Sequence, residues 1–274
     1  MKKQVYNPFL PLDTYIPDGE AHVFGDRVYL FGSHDKEQGE TYCMLDYVVW
    51  SAPVTDLSNW ANTGIVYQAK QDPLYDSITM PYIFAPDVVQ GNDGRFYLYY
   101  CMAGHKGKGG YSNPISVAVS STPDGKYEYL GVVKSKQGEP LTEKICFDPA
   151  VMNDAGTIRL YYGTSFEFDE HRRWFNHWVF NLVEAKMFDR SRKAIKAAAK
   201  SGGITGAFVV TLQDDMLTAE TEPHRLFDNN STNTSFQGHA FFEGSSIRKM
   251  NETYYFIYSS RNNHELCYAT SPYP

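Results

Sequence analysis

The sequence predicts an all-β fold of the β-propeller type, and three observations carry that prediction. An acid opens each of four similar segments, at Asp18, Asp87, Asp148 and Glu243, with intervals of 69, 61 and 95 residues. Each segment then passes through a short strand and a polar turn into a strand rich in aromatics. The last interval approaches the others once residues of about 166–203 are set aside as an insertion, so one supersecondary unit recurs.

The elements follow in order. Gly25-Asp26, Asn92-Asp93-Gly94, Asp154-Ala155-Gly156 and Asn251-Glu252 hold the hairpin turns, because Gly, Asn and Asp tolerate positive φ at low steric cost. The strands after them, such as 96–100 and 253–258, are β-branched or aromatic. A third strand is expected at 47–51, 115–120 and 265–270. Units of four strands repeated at more than about 40 residues suggest propeller blades. Residues 182–200, with Leu182 and Ile195 among Ala, Lys and Arg and Gly202-Gly203 behind them, read as a helix within an insertion in blade three, packed on the propeller surface.

An acid at a strand edge is ordinarily a solvated turn or capping residue. Repetition at matching places changes that reading, since inner strands line the axis and four acids at one end of them would converge on one mouth of the channel. Their neighbours agree. Pro17 and Gly19, Phe84 and Pro86, Phe147 and Pro149, and Phe241, Phe242 and Gly244 would build a rigid, partly dry cup in which carboxylate pKa values diverge.

The units resemble glycoside hydrolase family 43. The first-blade motif is matched by Tyr15-Ile-Pro-Asp-Gly-Glu20 followed by Gly25-Asp-Arg-Val-Tyr-Leu-Phe-Gly-Ser-His-Asp35, the second by Phe84-Ala-Pro-Asp87, the third by Phe147-Asp-Pro-Ala-Val151 and the fourth by Phe242-Glu-Gly-Ser-Ser-Ile-Arg-Lys249. The resemblance implies a five-bladed propeller in one catalytic domain, residues 1–274, of which this chain encodes about four blades. It implies hydrolysis of xylosyl or arabinofuranosyl linkages with inversion, Asp18 as general base, Asp148 as orienting acid and Glu243 as general acid. Phe84, Asp87 and Phe242 would contact or shape the substrate. Inversion needs one ionised carboxylate to take a proton from water and one protonated carboxyl to give a proton to the leaving oxygen. Asp18 is expected to stay ionised, with Glu243 raised by packing against Phe241 and Phe242 and by a nearby Asp148. A catalytically idle propeller that binds sugar or protein is the alternative.

No metal ligand is expected among the site residues, and no cofactor is required. A structural axial calcium is implied only where a fifth blade brings a histidine near it. The 31 residues after Glu243 finish a fourth blade, leaving an open edge through which copies would associate. The net charge of −7 argues against nucleic acid or an anionic membrane as partner, leaving carbohydrate. No apolar run approaches a membrane span, and no apolar stretch follows Met1-Lys-Lys to mark a signal peptide. Cys43, Cys101, Cys146 and Cys267 fall one per blade without CxxC spacing, as buried free thiols of a cytoplasmic protein would; a leader already removed would make it a secreted one. Gly104–Gly110 lacks a following GK[ST] and reads as a rim loop rather than a phosphate cradle.

Overall fold

The computed structural model describes residues 7–78, 81–104, 113–165, 177–188, 190–198, 202–228, 231–262 and 264–274. Blade one is β1 (Glu20–Phe24), β2 (Arg27–Phe31), β3 (Tyr47–Pro53) and β4 (Ala61–Tyr67). Blade two is β5 (Pro81–Gln90), β6 (Phe96–Gly104), β7 (Ser116–Ser120) and β8 (Glu128–Val132). Blade three is β9 (Ala150–Asp154), β10 (Thr157–Tyr162), β11 (Phe208–Leu212) and β12 (His224–Arg225), and blade four is β13 (Phe241–Met250), β14 (Thr253–Ser260) and β15 (Leu266–Ser271). Each is an antiparallel meander in sequence order. Blade four has three strands among the described residues, where the repeat predicts four.

The turns form as their residues dictate. Gly25 (φ 62°), Gly94 (φ 83°), Gly156 (φ 92°) and Asn251 (φ 54°) supply the left-handed backbone that tight hairpins require. The inner strands pack around the axis in the order β1, β5, β9, β13. Aromatic and branched residues fill the spaces between consecutive blades. Phe31, Tyr47 and Val49 meet Val88, Leu98 and Tyr100 between blades one and two. Tyr97, Tyr99 and Val117 meet Leu160, Tyr162 and Phe208 between blades two and three. Tyr161 and Ala207 meet Phe241, Phe256 and Tyr258 between blades three and four. A further cluster, Leu30, Val48 and Trp50, lies in blade one under Leu10, Ile16 and Trp60. Among the described residues, no apolar cluster joins blade four to blade one.

The expected insertion between β10 and β11 holds two helices, α1 (His177–Met187) and α2 (Arg192–Ala198). Phe188, Ile195 and Ala198 pack on Cys101, Ile145, Phe147 and Ile204, so the insertion buttresses the segment that carries Asp148. Its aromatic first half, from Phe166 to Phe175 with His171, and the loop 105–110 lie outside the described residues. The cysteines are free thiols; Cys43, Cys101 and Cys146 are buried and Cys267 is half-buried. No described helix is long and apolar enough to cross a membrane.

Candidate active site

One left-handed residue marks the site end of every inner strand: Asp18 (φ 54°), Ala85 (φ 39°), Asp148 (φ 43°) and Gly244 (φ 72°). Positive φ in a non-glycine residue is costly and persists where the surroundings enforce it, which is common at functional sites. For Asp148 the enforcement is visible. Gly163 donates its amide to the carbonyl of Phe147 at 2.8 Å, and a Cβ on Gly163 would fall 1.9 Å from the Gly206 carbonyl oxygen, so only glycine lets these segments approach.

Asp18 and Asp148 line one cavity of about 450 Å³ with Gly19, Glu20, Ala85, Pro86, Gly244 and Arg248. Glu243 stands beside it on β13, near enough that the negative charges of Asp18 and Glu243 both act on Asp148. The structure therefore brings the three expected acids together. Ser33 donates to Asp18 Oδ2 at 2.8 Å and accepts the amide of Ala85 at 2.8 Å, fixing that carboxylate between two blades. Asp148 Oδ2 accepts the amide of Gly244 at 2.9 Å.

Burial pushes the Glu243 carboxyl up to about 7, and the charge of Asp18 pushes in the same direction. That agrees with the direction expected of a general acid, although Asp18 and not Asp148 is the charged neighbour responsible. Asp148, fully enclosed, is raised well above the carboxylate range by burial, with the charges of Glu243 and Asp18 adding to it. Asp18, expected to stay ionised, is also raised above the usual carboxylate value. Burial raises it, the Ser33 hydroxyl lowers it, and Asp35 raises it again.

The outer assignments fare differently. Asp87 is fully buried and does not present a free oxygen to a substrate. Its Oδ1 accepts from His22 Nε2 at 2.5 Å and from the amide of Val88 at 2.8 Å, and its Oδ2 from the amide of Val151 at 2.7 Å. In blade two the left-handed residue is Ala85, two positions before Asp87, so Asp87 occupies the level of Glu20 rather than that of Asp18. Burial disfavours its charge, but His22, Arg248 and the Val151 amide outweigh burial and hold it below the usual carboxylate range. Phe84 and Phe242 are half-buried and neither lines the cavity. Phe84 packs on Phe147 with ring centroids 6.2 Å apart, and Phe242 meets His264 edge-on at 4.8 Å.

Glu20, His22 and Asp87 bring three metal-type ligand atoms within 4.8 Å of one another on the axis. The donor set does not suit calcium. Glu20 Oε2 already accepts from Arg248 Nη2 at 2.5 Å and from Ser246 Oγ at 3.1 Å, and the guanidinium places a positive charge where a cation would sit. Two participants, Ser33 and Arg248, carry no local signal in the sequence. Ser33 stands inside a quoted motif but looks like any strand-end serine, and Arg248 is 228 residues from Glu20, so no local spacing reveals that pair.

Comparison with known proteins bears on the family and the fold. The sequence profile of the glycosyl hydrolases family 43 matches residues 5–271. Over its whole length the chain is 42% identical to a xylosidase/arabinosidase of Thermoclostridium stercorarium, and spans about half (51%) of that protein. It is 29% identical to xylosidase/arabinosidase 43A of Humicola insolens, over 93% of this chain and 76% of that one. The fold matches the GH43_1 enzyme from Xanthomonas citri complexed with xylose, with a TM-score of 0.67 at 24% identity, covering 95% of this chain and 71% of that one.

Proposed function

Because the chain belongs to the glycosyl hydrolases family 43, we propose that it is a glycosidase that removes xylosyl or arabinofuranosyl units from plant-type polysaccharides or their oligosaccharides, with inversion. Asp18 takes a proton from the attacking water, Glu243 protonates the leaving oxygen, and Asp148 orients Glu243. The observation that carries this reading is a Glu243 carboxyl held near pH 7 beside Asp18 and a cavity of sugar size. A protein that only binds sugar has no need of a proton donor poised near neutrality, so the idle-propeller alternative is disfavoured. The names of the two relatives support the choice of sugars.

Hydrolysis of aryl β-xyloside and aryl α-arabinofuranoside tests the reading, with Glu243→Gln as control. Turnover of at least one substrate that falls in the variant supports it. Turnover of neither, or equal turnover by the variant on an oligosaccharide whose leaving group needs protonation, overturns it. Self-association belongs to the same reading, because Leu266 and Tyr268 on edge strand β15 are 83% and 68% exposed. A solution mass that stays monomeric at high concentration would remove that part.

A further inference from the structure

Glu243 stands on β13 and Asp18 two residues before β1, the two inner strands between which, among the described residues, no apolar cluster forms. Elsewhere around the ring, packed aromatics fix one blade against the next. Polar stitches add to them at the hairpins. Asn92 donates to the Gly156 carbonyl at 2.8 Å between blades two and three, and Lys249 and Tyr254 reach Asp154 at 2.9 and 2.6 Å between blades three and four. Between blades four and one, the polar links run through Glu20 and Arg248. Arg248 Nη2 donates to Glu20 Oε2 at 2.5 Å and to the Ala21 carbonyl at 3.2 Å, and Ser246 Oγ donates to Glu20 Oε2 at 3.1 Å.

These residues stand in the layer below the acids. Glu20 lies two positions after Asp18 on β1, and Ser246 and Arg248 lie three and five positions after Glu243 on β13. A strand rises by about 3.3 Å per residue, so a shift at this contact reaches the acids with little attenuation. The pair is largely shielded from water, with side-chain exposures of 13% for Glu20 and 31% for Arg248, and Arg248 and Ser246 both donate to the one carboxylate, which fixes its geometry.

We propose that Glu20 and Arg248, with Ser246, form a clasp that sets the separation of Asp18 and Glu243, making them positioning residues for the reaction proposed above, on which this inference rests. The clasp does for the open boundary what the aromatic layers do for the other three. Displacement of a reacting group by about 1 Å can cost on the order of 100-fold in rate. Loss of the clasp should therefore lower kcat much more than it raises KM, because the other residues that line the binding cavity, Asp18, Pro86 and Asp148 among them, remain in place.

The test uses Arg248→Met, Glu20→Gln and their double variant, with Arg248→Lys and Ser246→Ala as milder changes, each checked for folding by circular dichroism. We expect kcat in Arg248→Met to fall by about 10- to 100-fold with KM moving by less than about threefold. The double variant should be no worse than the singles, and Arg248→Lys should recover part of the loss. A second readout does not depend on turnover: the titration of the Glu243 carboxyl followed by carbon NMR. The charge of Asp18 helps hold that carboxyl up, so wider separation moves its midpoint to lower pH. A folded Arg248→Met or Ser246→Ala protein with wild-type kcat and an unmoved Glu243 midpoint would overturn the clasp. If the wild-type protein turns over neither sugar and the midpoint still moves, the functional reading fails while the clasp stands.

Discussion

Asp148 accepts the amide proton of Gly244 at 2.9 Å, so the acid of blade three is tied to the backbone one residue beyond Glu243. Ser165 makes a second tie between these blades, donating its amide to the Phe242 carbonyl at 2.8 Å and its hydroxyl to that of Phe241. The segment holding Glu243 is thus fixed to blade three from both sides. Asp148→Asn preserves an acceptor for the Gly244 amide, whereas Asp148→Ala removes it. We expect kcat to fall further in Asp148→Ala than in Asp148→Asn, the gap being about 10-fold for one hydrogen bond to a charged or buried partner. Steady-state rates of the two variants would show it; equal losses would mean that the tie does not matter for turnover.

In the proposed role Glu243 acts in its protonated form, and burial with the charge of Asp18 pushes its carboxyl up to about 7. Activity is expected to decline as pH rises through about 7, and Glu243→Gln should remove that alkaline limb because an amide does not titrate. The variant should be least impaired on substrates whose leaving group needs little protonation. Rates against pH on an activated aryl glycoside and on an oligosaccharide measure both effects.

Ser33 holds Asp18 towards its ionised form, against burial. With Ser33→Ala the Asp18 carboxyl should rise, so the acid limb of the kcat/KM profile should shift to higher pH while the alkaline limb stays put. Asp18→Asn should abolish turnover on every substrate, activated or not, because each requires an activated water. An acid limb unmoved by Ser33→Ala would show that Asp18 is not the base that this limb reports.

The parts of this site that could be read from the sequence are those encoded locally. Hairpin turns need residues such as Gly25, Gly94 and Asn251, and these announced the blades. Asp18, Asp148 and Glu243 stood in recognisable settings. Asp87 lies one layer below the place that the repeat of acids implies, because blade two turns at Ala85, a residue with no preference for positive φ, within a β-bulge between Phe84 and Asp87. The fourth strands left weak signals: β4 is exposed along residues 61–65, and β12 is two residues long. The third strand of blade three, 208–212, carries no local mark of its place, since its pairing with β10 spans the whole insertion. Glu20 and Arg248 are 228 residues apart and meet only in the folded chain.

Stability should report two of these groups with opposite signs. Glu243 has a raised carboxyl, so the folded state binds more protons than the unfolded state between about 4.5 and 7, and its contribution falls as pH rises through that window. Glu243→Gln should flatten this part of the profile. Asp87 is held low, so its contribution is present above the unfolded carboxylate value and is lost as pH falls through its depressed one. Removing one partner of the buried His22–Asp87 pair by Asp87→Ala should cost about 3–5 kcal/mol. Urea unfolding at several pH values measures all three.

The configuration of the first-formed sugar tests the central claim most directly. Proton NMR, taken before mutarotation, on whichever aryl glycoside the protein hydrolyses should show the anomer opposite to that of the substrate, because Asp18 directs water to the face away from the leaving group that Glu243 protonates. Release of the sugar with its starting configuration would require a covalent intermediate and would contradict the assignment of Asp18 as a base.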